Sequence, residues 1–191
     1  MSLEMHTYVP EVDDSLIPIW LLEMKKVGMD CEIHPEVKLA SHSGFLPFKL
    51  RIQDSAHTVL NGVEFLTGFE YYVGDFSLKT ELEKRPRSGG IGKAFGNRSA
   101  AAPYATPELD ERLKKCSKLL IFSWGTADLF ELRMATVSSA VLANITGGVS
   151  SYPADGIWYD RTAAQAVSEA RAYENSVKAK NVRINKFQKW L

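Results

Sequence analysis

The run of residues 118–146 limits the fold more than any other part of the chain. It begins with "KLLIFSW" (118–124), the most apolar segment of strand length, which predicts a buried strand at the centre of a sheet. It ends with "LFELRMATVSSAVLANIT" (129–146), where apolar residues recur near helical spacing and alanine and serine fill many other positions. Such a helix has little surface suited to water. The chain must therefore bury a long helix against a sheet.

The first half of the chain predicts strands and one helix in the order β-α-β-β-β. Pro18 lies in the first turn of the helix in "DDSLIPIWLLEMKKVG", and Gly28 marks its end. Strands are predicted on both sides of this helix. Two runs rich in aromatic and β-branched residues, "FLPFKLRI" and "VEFLTGFEYYVGDF", then flank a polar turn at Asn61–Gly62. This spacing favours a hairpin.

The second half contains the clearest helix starts. Thr106 followed by Pro107 predicts an N-cap and the first residue of a short helix. Thr162 with Gln165 predicts a capping box for the final helix, and two short strands are predicted between residues 147 and 160.

The final helix, in "AAQAVSEARAYENSVKAK", is expected to expose Glu174 above Lys178, since opposite charges four residues apart attract each other on a helix surface. The residues expected to be buried on its other side are Ala163, Val167, Ala170 and Val177.

These elements predict a single α+β domain over residues 1–191, a two-layer sandwich in which a mixed or largely antiparallel sheet packs against about four helices. The 45% of hydrophobic and 24% of charged residues are typical of a folded protein. Twenty-three basic residues balance 23 acidic ones. Because proteins that bind phosphate backbones usually carry a basic excess, this balance disfavours nucleic-acid binding.

The chain carries no signal for a membrane or for export. The apolar run at 16–22 is too short to span a bilayer, and acidic residues precede it. Cys31 and Cys116 lie far apart without a CxxC motif, which favours a reducing compartment, with a single disulfide as the alternative. We therefore expect a cytoplasmic protein.

Sequence motifs for catalysis or cofactors are missing. The four histidines form no HExxH motif and have no cysteine at ligand spacing, so no metal site is predicted. The chain also lacks the GxSxG motif of many serine hydrolases. We expect no cofactor and lean towards a protein that is not an enzyme.

The segment "RSGGIGKAFGNRS" (87–99) resembles a phosphate-binding loop only in composition. A Walker A loop would need glycine at position 87 and a hydroxyl at 94, where the chain has Arg87 and Ala94. The dinucleotide-binding pattern fails by one residue. We interpret the segment as a solvated loop. The alternative is a loop that orders over an anionic ligand or partner through Arg87, Lys93 and Arg98.

The turn "SWGTAD" is the best local candidate for a ligand site, because it joins the apolar strand to the long helix and helix N-termini bind anions. In the plainer interpretation, Asp128 caps the helix and Glu131 completes a capping-box-like start. Thr126 is then an ordinary residue of the turn. Strand carboxylates could join the site. The candidate ligand-binding residues are Ser123, Thr126, Asp128, Arg133 and Glu70.

The order of strand, small-residue helix, "TGG", short strand and "PADGIWYD" over residues 118–160 resembles a segment of uncharacterised bacterial single-domain proteins, including some immunity proteins of polymorphic toxin systems. The resemblance implies a bacterial cytosolic protein that acts by binding, and it carries no catalytic residue set. The predicted function is therefore a non-enzymatic protein-binding module, immunity-like or of another interaction type. The alternative is a small-ligand-binding protein or enzyme with its site at the 123–133 turn. The predicted partner is another protein, and the sequence leaves open whether the chain also forms a homo-oligomer.

We predict that residues 85–102, within a flexible glycine-rich loop at about 85–105, form the least ordered internal segment. They offer little apolar area against an ordering cost of about 1–2 kcal/mol per residue. Limited proteolysis should cut there first, and Lys93→Ala should change the free energy of unfolding by less than about 0.5 kcal/mol. Cleavage within the strands that leaves this loop intact would contradict the prediction.

Overall fold

The computed structural model describes residues 3–84, 103–125, 129–178 and 184–190. The helices are α1 (Leu16–Lys26), α2 (Leu78–Lys84), α3 (Pro107–Leu113), α4 (Leu129–Thr146) and α5 (Ala163–Ser176). The strands are β1 (Leu3–Val9), β2 (Met29–Ile33), β3 (Gly44–Ile52), β4 (Glu64–Asp75), β5 (Lys118–Trp124), β6 (Val149–Tyr152), β7 (Ile157–Tyr159) and β8 (Asn185–Lys186). Most of the predicted glycine-rich loop, with Arg87, Lys93 and Arg98, lies outside the described residues.

The strands form one open antiparallel sheet in the order β2-β3-β4-β5-β1-β6-β7, and β8 pairs with β4 on the edge that β5 leaves free. The predicted α+β class is confirmed, with five helices in the described part of the chain. The central place of β5 is also confirmed, because this strand pairs with β4 on one side and β1 on the other. No helix within the described ranges is long and apolar enough to cross a membrane.

The predicted N-caps of α3 and α5 are confirmed. The Thr106 hydroxyl accepts a hydrogen bond from the backbone N–H of Leu109 at 3.2 Å. Thr162 and Gln165 form the reciprocal capping box. The predicted hairpin of β3 and β4 is confirmed by their antiparallel pairing. Its connection runs from 53 to 63 and contains a 3₁₀ turn at Thr58–Leu60 before Asn61–Gly62.

Helix α4 forms the centre of the core. It lies on one face of the sheet against β1, β4 and β5, with α1 and α5 beside it. Its polar side chains also face the interior: the Ser139 hydroxyl lies 2.8 Å from the hydroxyl of Thr7 in β1. The buried residues of α4 include Phe130, Arg133, Met134, Ala135, Val137, Ser138, Ser139, Ala140, Val141, Leu142 and Ala143. A helix buried on so much of its surface leaves room only for small side chains where neighbouring elements approach closely.

A buried ion pair joins α4 to α5. Arg133 is fully buried and donates from Nη1 to both carboxylate oxygens of Glu174, at 3.1 and 3.3 Å, and from Nη2 to Asp54 at 2.6 Å. The predicted exposure of Glu174 above Lys178 is therefore wrong, since Glu174 is only 1% exposed. A buried guanidinium needs a carboxylate partner, and Glu174 supplies it from the same α5 face as Val167 and Ala170, which are buried as predicted. Ala166 is buried too, whereas Ala163 and Val177 are only half-buried.

The second face of the sheet is covered only in part. A small apolar cluster at one side places α2 and α3 against Tyr8 and Val149. At the other side the C-terminal residues 184–190 lie against β3 and β4, and the Lys49 ammonium sits 5.4 Å from the ring centre of Phe187. Between these two covers, Phe45 and Tyr72 remain 43% and 41% exposed.

The enclosure of α4 predicts sensitivity to side-chain volume in both directions. Val141→Ala should lower the free energy of unfolding by about 1–3 kcal/mol through lost burial and an unfilled cavity. Ala140→Leu should cost a similar amount by overpacking, since both positions are almost completely buried. Val59→Ala is the matched control, because Val59 is 79% exposed. Denaturant melts in which the control loses as much stability as Val141→Ala would refute this account of the core.

The ion pair predicts a second pattern. Glu174→Ala leaves Arg133 without its buried partner and should cost about 3–5 kcal/mol. The double variant Arg133→Met/Glu174→Leu should recover most of that loss, because apolar residues can replace a buried pair with little penalty. Lys178→Ala should change stability by less than about 0.5 kcal/mol. A double variant no more stable than Glu174→Ala in thermal and urea melts would contradict this interpretation.

Candidate functional site

Four residues on the uncovered face of the sheet form a row across four neighbouring strands. Phe45 in β3 lies opposite Glu70 in β4, Glu70 lies opposite Ser123 in β5, and Ser123 lies opposite Glu4 in β1. Residues directly opposite in an antiparallel sheet project from the same face, so these four side chains are neighbours. We call this set the acidic row.

A second row runs beside it and carries aromatic, polar and aliphatic side chains. It consists of Tyr72, Ile121, His6, Ser151 and Trp158, which are opposite one another in β4, β5, β1, β6 and β7. Two hydrogen bonds link the rows. The Tyr72 hydroxyl donates to the Glu70 carboxylate at 3.3 Å. In β1, His6 Nε2 lies 3.1 Å from Oε1 of Glu4.

The charge of the acidic row is not neutralised by a lysine or arginine among the described residues. Glu4 and Glu70 lie two strands apart, which places their backbones about 10 Å from each other. Their hydrogen-bonding partners in this region are His6 and Tyr72. Asp75 at the end of β4 differs, because the Lys118 ammonium bonds to it at 2.7 Å and lowers its pKa. The row is therefore a patch of negative charge on an exposed face.

The end of the acidic row opens into a shallow cavity of about 180 Å³. The lining residues include Glu70, Glu131 and Phe45. Glu131 Oε2 accepts a hydrogen bond from the backbone N–H of Gly125 at 3.0 Å, which holds this carboxylate at the start of α4. Two carboxylates and an aromatic ring around one cavity are suited to a cation.

The residues expected at the strand-to-helix turn divide into three groups. Glu70 and Ser123 are brought together, in the acidic row. Thr126 and Asp128 lie outside the described residues. Arg133 is not part of this cavity, because its guanidinium is buried and paired with carboxylates elsewhere. The Glu131 carboxylate already binds the amide of Gly125, so this part of the turn disfavours an anion.

Phe45, Glu4 and His6 were not identified as site residues from the sequence. The alternation in β1 gave a partial signal, since Glu4 and His6 alternate with the buried residues Met5 and Thr7. The alternation along one strand does not show which strands lie beside it in the sheet. β1 lies beside β5, a separation of more than one hundred residues along the chain, and only that pairing brings Glu4 next to Ser123.

The described residues do not form a nucleophilic or metal-binding arrangement. No hydrogen bond connects Ser123 to His6 within them, although a serine nucleophile needs a base in reach. Burial raises the pKa of the Cys31 thiol to about 12 and that of Cys116 to about 11, so both thiols are protonated at neutral pH. No group of three metal-binding side chains is present in the described ranges.

No protein-family model, curated protein or solved structure matches this chain. A residue role or ligand therefore cannot be transferred from a relative. The acidic row and the cavity at its end are the features from which a function can be inferred.

Proposed function

We propose that this protein is a non-enzymatic binding protein that takes a basic segment of another protein on its acidic row. The observation that carries the proposal is the pair Glu4 and Glu70, which have no lysine or arginine partner within the described residues. Glu70 also lies between the exposed rings of Phe45 and Tyr72. Charge complementarity between a negative patch and a basic segment raises the association rate and excludes acidic partners.

The cavity beside Glu70 gives the proposal a specific contact. A lysine or arginine side chain that enters it meets the carboxylates of Glu70 and Glu131. The exposed ring of Phe45 borders the same space and adds a cation–π contact of about 0.5–1 kcal/mol at an exposed site. Arginine suits this cavity best, because its planar group bonds carboxylates and stacks on aromatic rings.

The immunity-like role implied by the resemblance at residues 118–160 is one form of this function. An immunity protein acts by occupying a surface of its toxin, and a toxin with a basic surface has the chemistry that the acidic row would bind. In this proposal the chain works in a bacterial cytoplasm and needs no catalytic residue. The row also repels phosphate backbones, in line with the expectation that the partner is a protein.

We predict that the peptide acetyl-Arg-Tyr-Arg-amide shifts backbone amide resonances of β1, β4 and β5 in an NMR titration, and that acetyl-Glu-Tyr-Glu-amide does not. The double variant Glu4→Gln/Glu70→Gln should weaken binding of the basic peptide roughly tenfold, because two exposed pairs of about 0.5–1 kcal/mol each are lost. Added salt should weaken binding to the wild type more than binding to this variant.

Glu36→Gln/Glu108→Gln is the matched control, since it removes the same charge from exposed positions away from the row. Equal weakening by the control, equal binding of the acidic peptide, or shifts spread over the whole surface would refute the acidic row as the binding surface.

A further inference from the structure

A cavity of about 280 Å³ lies on the opposite face of the sheet from the acidic row, between the sheet, α4 and α5. Its walls include Met5, Trp124 and Ala170, each no more than 5% exposed. Tyr173 of α5 also lines the cavity and is 47% exposed, which places this residue at the mouth. The cavity therefore leads from the surface of the protein to residues of its core.

The walls of this cavity are mostly apolar and rich in aromatic rings. Leu3 from β1 and Leu132 from α4 add aliphatic surface. Four aromatic residues line the cavity: Trp124, Tyr152, Tyr159 and Tyr173. The rings of Trp124 and Tyr152 are close to parallel, with 28° between their planes and 6.5 Å between their centres. Such flat walls favour contact with another aromatic ring.

Polar groups in the same walls are bonded within the protein. The Thr136 hydroxyl donates to the carbonyl of Leu132, one turn earlier in α4, at 2.8 Å. The backbone N–H of Gly125 donates to the Glu131 carboxylate at 3.0 Å. These donors are already used, so a ligand gains little by offering them an acceptor.

The two charged residues of the lining, Arg161 and Glu169, neutralise each other. Nη1 of Arg161 donates to Glu169, and the guanidinium carbon lies 3.9 Å from the ring centre of Tyr159. The other two guanidinium nitrogens are buried, so a ligand in the cavity cannot reach them. The Glu169 side chain is 56% exposed, which places its carboxylate at the mouth. The described lining residues thus offer a ligand no unpaired charge.

We propose that this cavity binds a small, uncharged aromatic molecule. A ring that enters it removes apolar surface of the walls and of the ligand from water, which is favourable. A charged ligand would lose its hydration without gaining an ion pair, which is costly. Mostly apolar walls with a small number of polar groups are typical of small-molecule sites.

The volume sets the size of the ligand. An apolar cavity of about 150 Å³ holds one benzene molecule, so 280 Å³ has room for two fused rings. Indole has this size and carries no charge, which makes it the suitable probe. The site lies outside the acidic row and does not depend on the proposed protein partner.

Binding of indole can be measured by calorimetry and by the NMR signal of the Trp124 side chain in nitrogen-labelled protein, assigned with Trp124→Phe. We expect saturable binding with a Kd below about 1 mM and a shift of the Trp124 signal. Indole-3-carboxylate should bind about tenfold more weakly, because its carboxylate gains no ion pair and is repelled by Glu169.

Variants of α5 test the location of the site. Ala170→Leu fills the cavity and should abolish indole binding, whereas Ala172→Leu, at an exposed position of the same helix, should leave it unchanged. Tyr173→Ala should weaken binding about threefold or more, because one ring of the wall is lost. Tyr173→Phe should retain binding, since it keeps the ring. If Ala170→Leu does not fold, the two variants of the half-exposed Tyr173 decide.

Four results would overturn the proposal: indole-3-carboxylate binding as tightly as indole, unchanged binding in folded Ala170→Leu, equal losses in Tyr173→Ala and Tyr173→Phe, or no saturable binding of indole by about 10 mM. Tighter binding of N-acetyltryptophanamide than of indole would also overturn it, because the cavity would then suit an aromatic side chain of another protein.

Discussion

The burial of α4 against the sheet is the constraint on which the rest of the structure depends. Because nearly every side of this helix is covered, the chain must supply a sheet face, α1 and α5 to cover it. Arg133 adds an electrostatic condition, since a guanidinium inside the core requires carboxylates from other elements. Glu174 and Asp54 meet this condition, so the same contact that satisfies the charge also fixes α5 and the residues after β3 relative to α4.

Two open features lie where this covering ends. On the helix face, α4 and α5 leave a cavity beside β1 and β5. On the other face, the cluster under α2 and α3 and the C-terminal residues leave the middle of the sheet uncovered, and the acidic row occupies that gap. A sheet packed fully on one face and partly on the other can keep a stable core and still present polar side chains in a fixed register.

The two buried arginines show how differently one residue type can be used. Both terminal nitrogens of Arg133 bond to carboxylates of other elements, and its role is structural. Arg161 donates from Nη1 to Glu169, while its Nε and Nη2 are buried without a hydrogen-bond partner, as is Nε of Arg133. Buried donors raise the free energy of the folded state when they stay unpaired, so the fuller pairing of Arg133 costs the fold less than the pairing of Arg161.

The sequence by itself determined the local elements, because their causes lie within a few residues. Thr162 and Gln165 cap α5 through neighbouring backbone groups, and the apolar run of β5 must be buried wherever it lies. Only the tertiary structure decided which strands are neighbours and which charges meet. Glu174 carries a local pattern typical of an exposed pair, yet a buried arginine 41 residues away determined its environment. Long-range contacts of this kind depend on the relative positions of whole elements, and no short-range pattern encodes them.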